Sequence, residues 1–241
     1  MNKRYWWILI FYIGMQFSGL IGVPVLLNFE FDRAFSFALW NMISFILALL
    51  LILLLLVPER KKSYRHHRKL RKTSGGHAVK WTIFGIFLAF IAQFGAIAIE
   101  SSLFGIEPGS ENTQEILDMV KMIPAFSVVV AVIGPILEEI VFRKVIFGAF
   151  YKRLNFFISA LLSSVIFALV HFDFTHILIY TAVGFTFSFL YVKTGRIIVP
   201  IAAHVAMNGY AVIVQVLLGD KLQEMQEEFE KMQMILGGLF L

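Results

Sequence analysis

The chain has 241 residues, of which 59% are hydrophobic and 26 are phenylalanine, and its formal net charge is +5. One globular core of this length cannot enclose so many apolar side chains, so the composition excludes an ordinary water-soluble domain. The sequence contains no cysteine, which excludes disulfides, thiol nucleophiles and cysteine metal ligands.

Seven apolar stretches are long enough to form helices that cross a bilayer core of roughly 30 Å. Their length and their lack of apolar–polar alternation exclude transmembrane β strands. We therefore predict an all-α, polytopic transmembrane helix bundle of about seven spans, or eight if the C-terminal tail also crosses. The predicted spans are residues 5–27, 36–57, 81–99, 123–151, 156–172, 175–192 and 197–218.

The loop between the second and third predicted spans, residues 58–80, holds nine Lys or Arg residues. Because basic residues accumulate on the cytoplasmic side, this loop and the N-terminus are predicted to be cytoplasmic, and the acidic loop 100–121 is predicted to lie outside. Asp173 and His176 follow the fifth span and are expected at the membrane interface. The positive charge then reflects topology and attraction to anionic lipid, and we do not expect a nucleic-acid partner.

The fourth predicted span contains an E-E-x-x-x-R pattern formed by Glu138, Glu139 and Arg143. Ionised residues in a bilayer are costly and therefore usually mark a site. Glu139 and Arg143 are four residues apart and can pair on one helical face, whereas Glu138 lies about 100° around the helix and can face a different space. Gly134 and Pro135, just before the motif, are expected to free a backbone carbonyl and bend the helix. An ion-paired helix end near the interface is an equally acceptable interpretation of this cluster alone.

Two further pairs of residues have the same four-residue spacing on later spans. Phe167 and His171 form F-x-x-x-H, and His204 and Asn208 form H-x-x-x-N. Singly, such residues often only make hydrogen bonds within the core or join neighbouring helices. Together the three patterns place a carboxylate, two imidazoles, an amide and an ion pair on three separate helices, which packing alone does not explain.

This ordered series of motifs resembles the CPBP family, the CAAX-protease and bacteriocin-processing enzymes, also named the Abi or Rce1-like family. The resemblance covers about residues 123–212 and fixes no substrate. The matching residues are Glu138, Glu139, Arg143, Phe167, His171, His204 and Asn208.

The resemblance implies an intramembrane endopeptidase that needs no cofactor. Glu138 would be the general base and, with His171, would activate a water molecule to attack the scissile carbonyl. His204 and Asn208 would donate hydrogen bonds to the developing oxyanion. The supporting residues would be Glu139, Arg143 and Phe167.

Three alternatives stay open beside this mechanism. Glu138, His171 and His204 are a conceivable two-His, one-carboxylate zinc site, which a zinc-dependent variant of the same protease would use. A non-catalytic peptide-binding or bacteriocin-immunity protein could use the same cavity. A secondary transporter also keeps ionisable residues at mid-membrane but usually shows internal repeats, and none is visible in this sequence.

The motifs divide the chain into three predicted parts. Residues 1–122 form an N-terminal membrane region of three helices with the basic cytoplasmic loop 58–80, and residues 123–218 form the catalytic helical core. Residues 219–241 form a tail that is expected to lie on the membrane surface or to re-enter the membrane. The expected partners are the lipid bilayer and a peptide or membrane-anchored protein, either prenylated or a peptide precursor.

Overall fold

The computed structural model describes residues 3–61, 70, 72–107, 109 and 111–238 of the chain. Every regular element in these ranges is helical, which confirms the all-α prediction. Residues 62–69 and 71 of the predicted basic loop lie outside the described residues. The helices are α1 (Lys3–Leu27), α2 (Arg33–Lys61), α3 (Gly75–Phe104), α4 (Glu111–Met122), α5 (residues 126–151), α6 (Phe156–Leu169), α7 (Ile177–Thr194) and α8 (Ile198–Gly238).

The predicted spans all coincide with helices of the described structure. Five helices are long and apolar enough to cross a membrane, namely α1, α2, α3, α7 and the first part of α8, Ile198–Gly219. Helix α6 is also apolar, but its 14 residues extend only about 21 Å. With α6 and the charged helix α5, the chain is a multi-pass membrane protein of about seven spans.

Helix α5 changes between α and π geometry along its length, and the charged motif lies where the geometry changes. A π segment distributes its side chains around the helix axis differently from an α-helix, and such segments are frequent at functional sites. Glu138 ends an α segment, whereas Glu139 and Arg143 belong to the following π segment. The successive segments of α5 are Phe126–Val128 (α), Val129–Ile133 (π), Gly134–Glu138 (α), Glu139–Phe147 (π) and Gly148–Tyr151 (α).

Apolar side chains from several helices surround the charged part of α5. Tyr12 of α1 and Ile52 of α2 join Leu137 and Phe142 of α5 and Phe167 of α6 in one buried cluster. Helix α7 packs against both α3 and α6. Glu139 and Arg143 are therefore enclosed by the bundle, so their charges must be balanced by partners within the protein.

Helix α4 is an element that the sequence reading missed. It lies in the stretch that was predicted to be the acidic loop 100–121. Its Leu117 and Val120 are buried, and Val120 packs against Phe126 and Val129 at the start of α5. With only 12 residues, the helix is too short to be recognised by the length test that finds membrane spans.

Two polar residues near one end of the bundle are more deeply buried than the sequence suggests. Glu100, which was assigned to the acidic loop, belongs to α3 and is 3% exposed, and His176, which was expected at the interface, is 6% exposed. The two side chains contact each other, and each supplies a partner that replaces water. The assignment of Glu100 to a loop was therefore wrong, whereas the position of His176 at the membrane interface stays a prediction.

The last helix continues far beyond the predicted seventh span. Helix α8 has 41 residues and is about 60 Å long. The part after Gly219 extends the membrane-spanning part without a break as far as Gly238. The position of the tail relative to the bilayer stays a prediction.

Candidate active site

The ion pair between Glu139 and Arg143 is the fully buried part of the site. The Glu139 Oε2 and Arg143 Nε atoms are 3.3 Å apart, and neither side chain has any exposed surface. The four-residue spacing brings the two groups together within one helix. Removing either partner would leave the other charge buried and uncompensated, which makes the pair a structural requirement of the site.

The Arg143 guanidinium is held by more than its carboxylate partner. Its Nη2 atom donates to the Gly184 carbonyl of α7 at 3.3 Å. Its Cζ atom lies 4.4 Å from the centre of the Phe167 ring and 5.5 Å from that of Phe187. A cation over an aromatic face is stabilised by the ring quadrupole, so the motif residue Phe167 has a direct electrostatic role.

Gly184 is a residue of this site that the sequence reading did not single out. A Cβ atom at this position would lie 3.2 Å from Arg143 Nη2 and 3.1 Å from Ser164 Oγ. A side chain at this position would therefore require Arg143 or Ser164 to shift by a few tenths of an ångström. The sequence gives no sign of this requirement, because the partners are 41 and 20 positions away.

His204 bridges the two adjacent glutamates. Its Nδ1 atom is 3.1 Å from Glu139 Oε1, and its Nε2 atom is 3.7 Å from Glu138 Oε2. The ring stacks on Phe187, with 4.7 Å between ring centres. Glu139 thus contacts Arg143 through one oxygen and His204 through the other, which fixes the orientation of the imidazole.

Glu138 differs from its neighbour in both exposure and partners. Its side chain is 19% exposed, whereas that of Glu139 is fully buried. The basic side chain that lies near it among the described residues is His204, at a distance longer than a hydrogen bond. One carboxylate is therefore enclosed by partners, while the other borders open space.

His171 lies just beyond the end of α6, which stops at Leu169 rather than at the predicted residue 172. Its Nδ1 atom is 2.7 Å from the Phe167 carbonyl, and its ring stacks on Tyr180 with 4.2 Å between centres. A carbonyl oxygen can only accept a hydrogen bond, so Nδ1 carries the proton and the neutral ring has its lone pair on Nε2.

Asn208 makes a hydrogen bond to the irregular part of α5. The N–H of Gly134 bonds to the Val129 carbonyl in the π pattern, so the next carbonyl, Val130, would bond to residue 135. Residue 135 is proline and has no N–H to donate. Asn208 Nδ2 donates to Val130 at 3.3 Å instead, which gives the freed carbonyl a partner on α8.

A zinc site would need three or more protein ligands around one point. Within the described part of the chain, no group of three or more His, Asp or Glu side chains is arranged to hold a metal ion. Glu138, His171 and His204 do not form such a group. We therefore derive no step through zinc, and metal independence stays a prediction.

Comparison with known proteins identifies the family. The type II CAAX prenyl endopeptidase Rce1-like family matches residues 120–210, which contain all seven motif residues. The chain is 46% identical over 249 residues, covering all of both proteins, to YdiL of Bacillus subtilis (strain 168), which is provisionally named a membrane peptidase. It is 37% identical over 158 residues to the membrane-embedded CAAX protease MroQ of Staphylococcus aureus (strain USA300), covering 63% of this chain and 64% of that protein. No solved structure matches the chain. The chain therefore belongs to the Rce1-like family of CAAX membrane proteases.

Proposed function

We propose that this membrane protease is an intramembrane glutamate peptidase that hydrolyses a peptide bond in a membrane-associated protein or peptide. The observation that carries the proposal is the difference between two adjacent carboxylates. Glu139 is fully buried and held by Arg143 and His204, whereas Glu138 is partly exposed. A purely structural carboxylate needs partners on both oxygens, and a general base needs access to water.

Glu138 acts as the base in the first step of the proposed reaction. It takes a proton from a water molecule, and the water oxygen bonds to the carbonyl carbon of the scissile peptide. His171 accepts a hydrogen bond from the same water through Nε2, because its Nδ1 proton is held by the Phe167 carbonyl. Glu138 then delivers the proton to the amide nitrogen as the C–N bond breaks, and the carboxylate is restored.

His204 and Asn208 stabilise the negative charge that develops on the carbonyl oxygen. The Nδ1–H of His204 donates to Glu139, so its protonated form directs the Nε2–H toward the space beside Glu138. One amide N–H of Asn208 donates to Val130, and the amide has a second N–H whose presence does not depend on pH. Preorganised donors of this kind typically contribute about 10²–10³ in kcat each.

The family and the multi-pass membrane character of the chain support the proposed substrate class. We propose a peptide or membrane-anchored protein that reaches the site from the bilayer, either prenylated at its C-terminus or the precursor of a secreted peptide. Cleavage of matched peptides with and without a prenyl group would separate these two classes. Cleavage of the prenylated peptide alone would assign the first class, and equal cleavage of both would remove the requirement for the lipid.

A non-catalytic protein that binds peptides in the same cavity is the competing explanation. The peptidase and the non-catalytic binding protein are distinguished by incubating candidate membrane-associated peptides with purified protein in proteoliposomes. The experiment compares wild type with a Glu138→Gln variant. A peptidase gives fragments with wild type alone, although both proteins bind the peptide. Binding to both proteins without fragments from either would favour the non-catalytic alternative.

The orientation is also proposed, with the N-terminus and the loop 58–80 in the cytoplasm. The natural absence of cysteine makes the test direct, since a single introduced cysteine is the only thiol in the protein. Lys72→Cys and Glu107→Cys change exposed residues that follow α2 and α3, respectively. In intact cells an impermeant maleimide should label Glu107→Cys but not Lys72→Cys, and the opposite pattern would reverse the orientation.

A further inference from the structure

A second buried ion pair lies outside the family motifs, near the end of α3. His176 Nδ1 is 2.9 Å from Glu100 Oε2, and His176 Nε2 is 2.6 Å from the Gly109 carbonyl. Both side chains are almost fully buried. The pair joins three segments that are distant in sequence: the end of α3, the loop that follows it and the residue that precedes α7.

The two contacts of the His176 ring require an additional proton. The Gly109 carbonyl can only accept, so Nε2 must carry a hydrogen. Nδ1 faces a carboxyl oxygen, and a neutral imidazole has no second hydrogen to donate. Either the imidazole is protonated and donates to a carboxylate, or Glu100 is protonated and donates to the imidazole. In both cases the pair holds one proton more than a neutral histidine beside a carboxylate.

The charges around His176 favour retention of that proton. Burial acts to lower the pKa of His176, but its hydrogen bonds to Glu100 and to the Gly109 carbonyl oppose burial. The negative charges of Asp173 and Glu100 add to this effect, and the pKa is raised above its ordinary value. Glu100 reaches the ring from α3, and Asp173 lies in the same loop as the histidine.

The pair fixes the segment that connects the active-site histidine to α7. Glu100 Oε1 accepts from the backbone N–H of Leu178 in the first turn of α7, and the N–H of His176 bonds to Asp173. Tyr180, less than one turn farther along α7, stacks on the His171 ring. A displacement of the start of α7 would therefore move the surface against which His171 rests.

We propose that Glu100 and His176 are positioning residues for His171, and that the proton they share makes this positioning dependent on pH. The inference rests on the proposed role of His171 in activating water. Glu100 lies outside residues 120–210, the segment that matches the family, and His176 lies inside this segment but is not one of the motif residues.

The direction of the pH dependence follows from the raised pKa of His176. The stabilisation is complete below the ordinary histidine value of about 6.5 and is lost as pH rises through the higher pKa of the folded protein. When the shared proton leaves, Nδ1 and the Glu100 carboxylate are two acceptors facing each other. The start of α7 is then held less firmly, and both the melting temperature and kcat fall.

The variant Glu100→Gln tests this idea because its side-chain amide carries a hydrogen that takes the place of the shared proton at every pH. Its amide N–H donates to Nδ1 of neutral His176, its carbonyl still accepts from Leu178, and Nε2–H still donates to Gly109. Full-length wild type, Glu100→Gln and Glu100→Ala would be melted in detergent from pH 6 to pH 9, and kcat would be measured over the same range. Glu107→Gln, at an exposed position after α3, is the matched control.

We expect the wild-type Tm to fall by about 2–4 °C across this range and that of Glu100→Gln to stay level. Glu100→Ala should melt lower than wild type at pH 6, and Glu107→Gln should follow wild type. The ratio of kcat for Glu100→Gln to that for wild type should rise about tenfold toward pH 9, since small displacements of catalytic groups are costly. The two proteins differ only at Glu100, so a change in the ratio is assigned to that side chain.

Parallel melting curves for wild type and Glu100→Gln would overturn the shared proton. Different melting curves with a constant kcat ratio would overturn the positioning role. If no peptide is cleaved by any variant, the proposed function and the positioning role fail together, and the melting curves still decide whether the pair shares a proton.

Discussion

Replacing Arg143 by alanine should destabilise the protein strongly, and the structure allows the effect to be sized. The change leaves Glu139, which has no exposed side-chain surface, without its guanidinium partner. Breaking a buried pair by removing one partner typically costs about 3–5 kcal/mol. With about 2–4 °C of Tm per kcal/mol for a chain of this length, the melting temperature should fall by about 6–20 °C.

The lysine variant separates the charge of Arg143 from the shape of its guanidinium group. Arg143→Lys should be intermediate, because lysine keeps the charge but loses the planar contact with Phe167.

The assay is thermal unfolding in detergent, with cleavage of a peptide substrate measured in parallel. Arg153→Ala removes an exposed arginine just after α5 and serves as the control for loss of a positive charge. An Arg143→Ala protein that melts within about 2 °C of wild type would refute the argument that the buried pair supports the site. The same result with full activity would remove Arg143 from the site altogether.

Three other predictions concern single elements of the site. Asn208→Ala should lower kcat by about 10²–10³ with little change in KM, because it removes a donor that is needed mainly in the transition state. Steady-state cleavage measures both constants, and an unchanged kcat would exclude Asn208 from the oxyanion site. Gly184→Ala should lower stability by about 1–3 kcal/mol in detergent melting, because the added methyl group meets Arg143 and Ser164 in a packed interface; a stabilised variant would show that α7 can move away. Incubation with a strong chelator should leave cleavage unchanged, and loss of activity that zinc restores would replace the glutamate mechanism by a metal mechanism.

The fold was largely predictable because membrane spans are recognised by length and apolarity alone. The local part of the site was predictable for a similar reason, since four-residue spacing on a helix brings Glu139 and Arg143 into contact wherever the helix packs. The freed carbonyl before the motif was also expected, because proline removes a known donor. These features depend on neighbours in sequence.

Contacts between distant segments could not be predicted in the same way. The sequence does not show that Asn208 on α8 donates to the freed Val130 carbonyl, or that His204 contacts both glutamates. Glu100 and His176 are 76 positions apart, and each looks like an ordinary polar residue near a span end. Such pairings depend on how α3, α5, α7 and α8 pack together, which local spacing does not determine.

The most direct test of the central claim is the comparison of wild type with Glu138→Gln in one proteoliposome assay that records cleavage, peptide binding and melting. The substitution keeps the side-chain volume and removes only the proton acceptor, so we predict loss of turnover with unchanged peptide affinity and a Tm close to that of wild type. Retained turnover by Glu138→Gln would contradict the account. A large loss of Tm in Glu138→Gln, together with a stable and active Arg143→Ala protein, would show that the proposed roles of the two residues are reversed.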